Sequence, residues 1–563
     1  MNVAPGQTLG ESLDNRQKWL LLGSLMISLF VGALDQTVVT TATPRILADL
    51  GGFGLLSWLF TSYMLASTVV IPLIGKLGDM FGRKLFLIGG IALFMVASAL
   101  CGAAPSIEAL IVFRAIQGLG GGMIFASVFA TLGDIFSPME RGKYIGLFTG
   151  TFSLASIIGP AFGGFLTDTL SWRWVFFINI PVGLVAIPAI WFNLPSRDVH
   201  TRPKIDFLGA TWLSAASVLA LLALVWAGDK YAWASTEIAG LLVSAAVFVA
   251  LFIWQETRHP EPILPLHLFS NRIFLMSNLI VFTFGAGVFG AFSYLGLYLQ
   301  TAMDASATTS GVISMPQSMG VLFASTISGW FISRLGRYRY QTIVGAALIA
   351  IAIAGLTTLK PDTPLWHISA IMVVLGLGFG LVLPTMSLVV QNAVPYQYLG
   401  VASSSSQFFR QIGSVLGIAV FGAILANSFT AKFENQFSAD DQAAVGPAIT
   451  EQFKDPTFRL NEREYPGVEQ QVLALPGGAD ILGRSTDAQN DAMTFAVRRI
   501  HLAALACALL CLLFTIIMKE VPLRRTVGTP AVPPAGVPQQ APTGDGLPSL
   551  EKSPPAAGPA GGQ

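Results

Sequence analysis

Asp35 is the only acid set deep in an apolar run of this chain, within Leu34-Asp35-Gln36-Thr37-Val38-Val39. An ionised carboxylate at the middle of a bilayer costs roughly 2.5–3.5 kcal/mol even on insertion scales, so such a residue must face a cavity or a partner. Proton exchange is the chemistry it suits. The partner on offer is Arg114. Asp35 lies nine residues before Pro44 and Arg114 nine after Pro105, which puts each ~14 Å below the same boundary at 1.5 Å per helical residue. Burial favours the neutral acid and a guanidinium favours the carboxylate, so a change in water access or an arriving ligand can move a proton.

A second constellation is the basic stretch Gly75-Lys76-Leu77-Gly78-Asp79-Met80-Phe81-Gly82-Arg83-Lys84, wedged between two apolar runs. It reads as a tight hairpin. Gly75 allows two helices to approach closely, Gly82 permits a turn that a side chain would strain, and Arg83 and Lys84 are barred from lipid. Asp79 is placed to meet Arg83 or the N-terminus of a neighbouring helix, where the macrodipole favours negative charge. Further on, Gly150 and Gly159-Pro160-Ala161-Phe162-Gly163-Gly164 set a proline beside glycines, which predicts a kinked, closely packed helix able to rock. Arg410-Gln411 is another polar pair in an apolar run, expected to face a central cavity. Tyr63, Tyr294, Tyr298, Gln300, Gln317 and Gln407 are weaker lining candidates.

The elements that position these residues must be membrane helices. Of 563 residues, 53% are hydrophobic and 11% charged, under half the charged fraction of about 25% usual for soluble domains. A net charge of +1 with no basic stripe gives no reason to expect nucleic acid. Cys101, Cys507 and Cys511 fall in apolar runs, so neither a disulfide framework nor a metal site is expected, and no cofactor. Apolar runs of spanning length number about fourteen, the first beginning near Trp19 and read as a retained anchor. Lys76, Arg83, Arg141, Lys143, Arg334 and Arg337 share one side with both termini, which is therefore expected to be cytoplasmic.

The chain also carries its own copy. Gly118-Leu119-Gly120 is echoed by Gly376-Leu377-Gly378, Pro138 and Gly142 by Pro395 and Gly400, and Gly159 by Gly417, at a lag of about 258 residues. Gly329-Trp330-Phe331-Ile332-Ser333 repeats the hairpin spacing, with Ser333 where Asp79 stood. These echoes predict an all-α integral membrane protein of two six-helix bundles related by an axis along the membrane normal, with a two-helix hairpin inserted between them. The expected divisions are a cytoplasmic N-terminus (1–18), a first bundle (19–194), a linker and inserted hairpin packing peripherally (195–271), and a second bundle (272–519). A long outer loop (428–498), broken by prolines, belongs to the second bundle and reads equally as a solvated loop with short helices or as a lid or docking place for an outer-side partner. The Pro-, Ala- and Gly-rich tail (520–563) is expected to be disordered.

With these pieces assembled, the sequence resembles the major facilitator superfamily, and within it the fourteen-helix drug:proton antiporter branch of bacteria. Leu34-Asp35-Gln36-Thr37 through Pro44 looks like the branch's first-helix motif, and Gly75 to Lys84 like the cytoplasmic loop motif. Arg114-Ala115-Ile116-Gln117-Gly118 looks like the fourth-helix motif, and Gly150 with Gly159-Pro160 through Gly164 like the antiporter motif. The resemblance implies alternating access, export driven by a proton gradient across a bacterial cytoplasmic membrane, proton coupling through Asp35 and Arg114, and gating by Asp79, Arg83, Gly159 and Pro160. Met80 departs from the arginine common after the loop aspartate, and Thr40 from the usual asparagine.

The leading expectation is a monomeric, proton-coupled exporter of amphipathic small molecules. Its rival is an exporter of lipid or another hydrophobic envelope metabolite. A non-transporting receptor would not need Asp35, and an enzyme is not expected because no paired carboxylates, His cluster or nucleophile motif lies in the spans.

Overall fold

The computed structural model describes residues 13–51, 55–195, 204–228, 230–460 and 464–523. The tail expected to be disordered, beyond residue 523, and residues 196–203 of the linker lie outside them. Helix α1 (Asn15–Leu50) opens on a capping box in which the Asp14 carboxylate accepts from Gln17 N at 2.6 Å and the Gln17 side chain accepts from Asp14 N at 3.1 Å. Gly82 alone separates α2 (Leu56–Phe81) from α3 (Arg83–Gly102), and its φ of 90° is the left-handed turn expected of it. After α4 (Ile107–Ile135) comes α5 (Pro138–Thr169), started by Pro138 and a Ser137–Glu140 capping box. The first half closes with α6 (Trp174–Phe177) and α7 (Asn179–Asn193), which together make one span.

The inserted hairpin is α8 (Phe207–Trp226) and α9 (Thr236–Glu256). The second half runs through α10 (Arg272–Phe284), a π turn (Gly285–Phe289), α11 (Gly290–Thr301), α12 (Ala307–Leu335), α13 (Arg339–Leu356), α14 (Leu365–Asn392) and α15 (Leu399–Gln436). Short helices α16 (Ala439–Val445), α17 (Pro447–Phe453) and α18 (Tyr465–Leu473) then lead into α19 (Gly478–Ile517), which returns to the face where α1 began. Among the described residues, 13 stretches are long and apolar enough to cross a membrane. The 29-residue α12 is long enough to be a fourteenth but more polar, carrying Ser310, Gln317, Ser325 and Ser328, and it packs against α5 and α14. The end of the bundle holding Gly82 and the start of α5 is called here the basic face, and the opposite end the cap face.

The internal copy is visible in the packing. Gly118 of α4 lies against the Tyr63 backbone of α2, and its counterpart Gly376 of α14 lies against the Gln317 backbone of α12. Close approach of backbones through small residues is how membrane helices associate where no hydrophobic force separates helix from lipid.

Two stretches differ from expectation. The hairpin is not merely peripheral: α8 packs on α2 and α15, and the strap after α9 crosses from one half to the other. Lys76 Nζ of α2 meets Glu261 Oε2 of the strap at 2.6 Å, while Asn271 Nδ2 donates to Ala393 O of the second half at 2.7 Å. The outer loop 428–498 is mostly folded helix. α15 continues to Gln436 and α19 begins at Gly478, so what remains between them is a small helical cap. Phe433, Phe437, Phe453, Phe458 and Tyr465 pass from ring to ring at 5.3–6.2 Å between centroids, a core that polar composition alone concealed. Arg459 ties this cap to the α11–α12 turn, donating to Thr301 O at 2.9 Å and to Asp304 Oδ1 at 2.7 Å. Asp441 of the cap is held below the usual carboxylate range by hydrogen bonds from Arg484 and Ser438.

Candidate functional site

Asp35 and Arg114 do meet. Arg114 Nη1 donates to Asp35 Oδ2 at 2.6 Å, and both residues are 1% exposed. The other carboxylate oxygen accepts from Gln117 Nε2 at 2.9 Å and from Asn179 Nδ2 at 3.0 Å. Ser98 Oγ accepts from the same two amides, at 2.7 and 3.2 Å. The guanidinium lies 4.5 Å from the Tyr63 ring and 5.9 Å from the Phe176 ring. The groups hydrogen-bonded to the carboxylate, Arg114, Gln117 and Asn179, are all donors. Gln117 and Asn179 were not singled out from sequence, although Gln117 stands three residues from Arg114 on one helix face, the spacing that makes neighbours. Asn179 was visible as an amide at the head of an apolar run.

Asp79 finds both partners open to it. One oxygen accepts from Gly400 N at 2.9 Å and the other from Val401 N at 2.9 Å, at the start of α15 in the second half. These are the second and third residues of the helix, whose N–H groups have no partner within it. Arg83 pairs with Asp79 and also donates to Asp134 Oδ2 at 3.0 Å and to Gly75 O at 3.3 Å. Gly75 has no room for a Cβ, which would stand 2.7 Å from Gly400 O. Nearby, Arg141 Nη1 donates to Gln391 Oε1 at 3.0 Å, and Gln391 Nε2 to Phe129 O at 3.2 Å. These contacts between halves all lie toward the basic face.

In α5, Gly150 faces Leu322 of α12, whereas Gly159 and Gly163 lie against Thr37 and Thr41 of α1. Pro160 sits inside an unbroken helix, and Gly164 faces open space instead of a helix. The lining candidates divide. Tyr298 is fully buried and Gln317 is 8% exposed. Tyr63 is buried as the shelf under Arg114. Tyr294 donates its hydroxyl to Ile418 O at 2.7 Å, and Gln300 turns back to Gly296 O at 3.2 Å. Gln407 accepts from Arg410, and Gln411 accepts from Thr68 of the first half.

A bundle of about fourteen helices in two repeated halves, with a buried ion pair and a charged seam, defines a membrane transporter. The chain belongs to the Major Facilitator Superfamily, whose family model matches residues 25–418. It is 40% identical over 409 residues to Multidrug transporter protein MdtP of Bacillus subtilis (strain 168), covering 73% of this chain and 75% of that protein. Multidrug resistance protein 3 of the same organism is 33% identical, over 85% of this chain and 91% of its own length. The uncharacterized MFS-type transporter Rv1877 of Mycobacterium tuberculosis (strain ATCC 25618 / H37Rv) is 35% identical, over 84% and 69%. Among solved structures, the human organic anion transporter MFSD10 (TETRAN) aligns with a TM-score of 0.55 at 15% identity, covering 73% of this chain and 94% of that one. The proton:xylose symporter XylE aligns at 0.53 and 13% identity, over 73% and 90%. At such identities these two establish the fold alone.

Proposed function

We propose that this transporter exports amphipathic toxic compounds in exchange for protons, with its basic face in the cytoplasm and both ends of the bundle's chain on that side. The single observation that carries the reading is the sealed network around Asp35. A carboxylate so deep and so fully bonded has little structural advantage over an apolar residue of similar volume, because removing two charges from water offsets most of their attraction. It is explained by a cycle in which the network opens, takes a proton and closes again. The seam at the basic face supports the same reading: bridged by Asp79 to the start of α15, it is a contact that an alternating-access cycle would break and remake. Two of the relatives are named as multidrug proteins, which favours drug-like substrates over an envelope lipid.

Reconstituted liposomes carrying wild type or Asp35→Asn test the coupling. The substitution preserves shape and removes the titratable group, so substrate-dependent proton flux and uphill transport both disappear across pH 6–8 while substrate still binds. Substrate-dependent proton flux that survives in Asp35→Asn would sink the assignment.

A further inference from the structure

The deep arginines of this protein are not alike. Arg114 meets Asp35, and Arg83 meets Asp79 and Asp134. Arg410 is the twelfth residue of α15, which puts it ~17 Å inside the helix from the basic face at 1.5 Å per residue. Yet its side-chain hydrogen bonds, from Nε at 3.2 Å and Nη2 at 2.8 Å, both go to the single amide oxygen of Gln407. Among the described residues no carboxylate lies within ion-pair distance of it. A neutral amide satisfies donors without neutralising a charge, and a cation at this depth is costly unless water or an anion reaches it.

What surrounds the guanidinium is specific. The Phe289 ring lies 5.8 Å from it. That ring belongs to the π turn Gly285–Phe289, a local irregularity of a kind common at functional sites. Phe379 of α14 packs edge-on against both Phe289 and Phe284, at 5.9 and 4.9 Å. The next residue, Gln411, accepts from Thr68 of α2, so this aromatic wall and its cation stand beside the seam between halves. Arg410 itself is partly exposed.

We infer that Arg410, with Gln407 and the Phe289–Phe379 wall, forms a subsite for amphipathic organic anions, the guanidinium taking a carboxylate or sulfonate and the rings taking the flat apolar body. The planar fork of arginine offers two parallel donors to such a group, and its Nη1 is the donor left over by Gln407. The physiological meaning rests on the export reading, in which substrates meet this wall between the halves. It widens the substrate class beyond the cations that a lone Asp35 would select.

Fluorescein and rhodamine 6G share one xanthene ring system but carry opposite charge, and fluorescence anisotropy of each with purified protein in detergent separates charge from shape. Arg410→Gln weakens fluorescein binding about tenfold or more and changes rhodamine 6G by less than about threefold; Arg410→Lys recovers part of the fluorescein affinity. Retained rhodamine 6G binding also certifies that the variant is folded. Equal weakening of both dyes, or wild type that fails to bind fluorescein, would overturn the subsite. The readout does not depend on transport, so wild type that binds fluorescein through Arg410 and exports neither dye sustains the subsite while removing the export reading.

Discussion

The internal copy builds two seams between the halves, and they are held differently. In one, α2 meets α15, with Gly75 against Gly400; in the other, α12 meets α5, with Gly329 against Gly142. Residue by residue the glycine contacts correspond. The charges do not. The first seam carries Asp79, Arg83 and Asp134 and is covered by the strap through Lys76 and Glu261. In the second, Ser333 stands in the position of Asp79 and turns back to Trp330 O at 2.9 Å within its own helix. The reason lies in where the opposing helices begin. Gly400 is the second residue of α15, with its N–H unused by its own helix and given to Asp79, whereas Gly142 is the fifth residue of α5, with its N–H already used inside the helix. An acid on α12 would find no donors. One seam is therefore bridged by a carboxylate and the other by close helix packing, and the export reading would have the first open while the second pivots.

The largest effect is expected at the latch. Asp79→Asn keeps the acceptor oxygen but removes the charge facing Arg83 and the α15 terminus; hydrogen bonds to charged groups contribute about 1.5–3 kcal/mol, which is roughly a ten- to hundredfold shift toward the unlatched state. Dye transport in cells should collapse while the amount of protein in the membrane is unchanged. Normal transport at equal expression would remove the latch from the comparison. Next come the paired glycines. A methyl on either Gly75 or Gly329 meets backbone across its seam, and overpacking costs about 1–3 kcal/mol. Both alanine variants should raise the labelling rate of a cysteine introduced at the basic face, and to a similar degree; a large inequality would mean that the seams differ in packing as well as in charge. The smallest effect is expected from Ser333→Asp, within about 0.5 kcal/mol in thermal stability. Combined with Asp79→Asn it should restore nothing, because the donors are missing at α5; rescue would break the argument.

Much of this is legible in the sequence. The depth of Asp35 and Arg114, counted from Pro44 and Pro105, led to a pair that is made at 2.6 Å. Gly82 and Gly75 act as read, since a left-handed turn and a backbone contact each leave a glycine behind. Asp79 was less determined, because spacing could not say which helix start would stand opposite it; that needed the second half in place. Asn179 escaped because an amide in an apolar run has many uses, and three-dimensional convergence with Gln117 selects one. The cap escaped for a different reason. Its aromatics are scattered among Asp, Glu and Gln, and only short helices broken by prolines bring Phe437, Phe453 and Phe458 together.

Helix α15 has 38 residues without an internal proline, a rod of ~57 Å at 1.5 Å per residue. Its counterpart α5 carries Pro160 and ends at Thr169. One end of the rod supplies the N–H groups that Asp79 grips, and the other end is rooted in the cap through Phe433 and Phe437. The rod is in effect a lever arm with a handle outside the bilayer. With no proline between the two ends, a tilt imposed on the cap is expected to displace Gly400 relative to Asp79. A rigid binder seated on the cap would thereby act as a brake on the transport cycle without entering the path of the substrate.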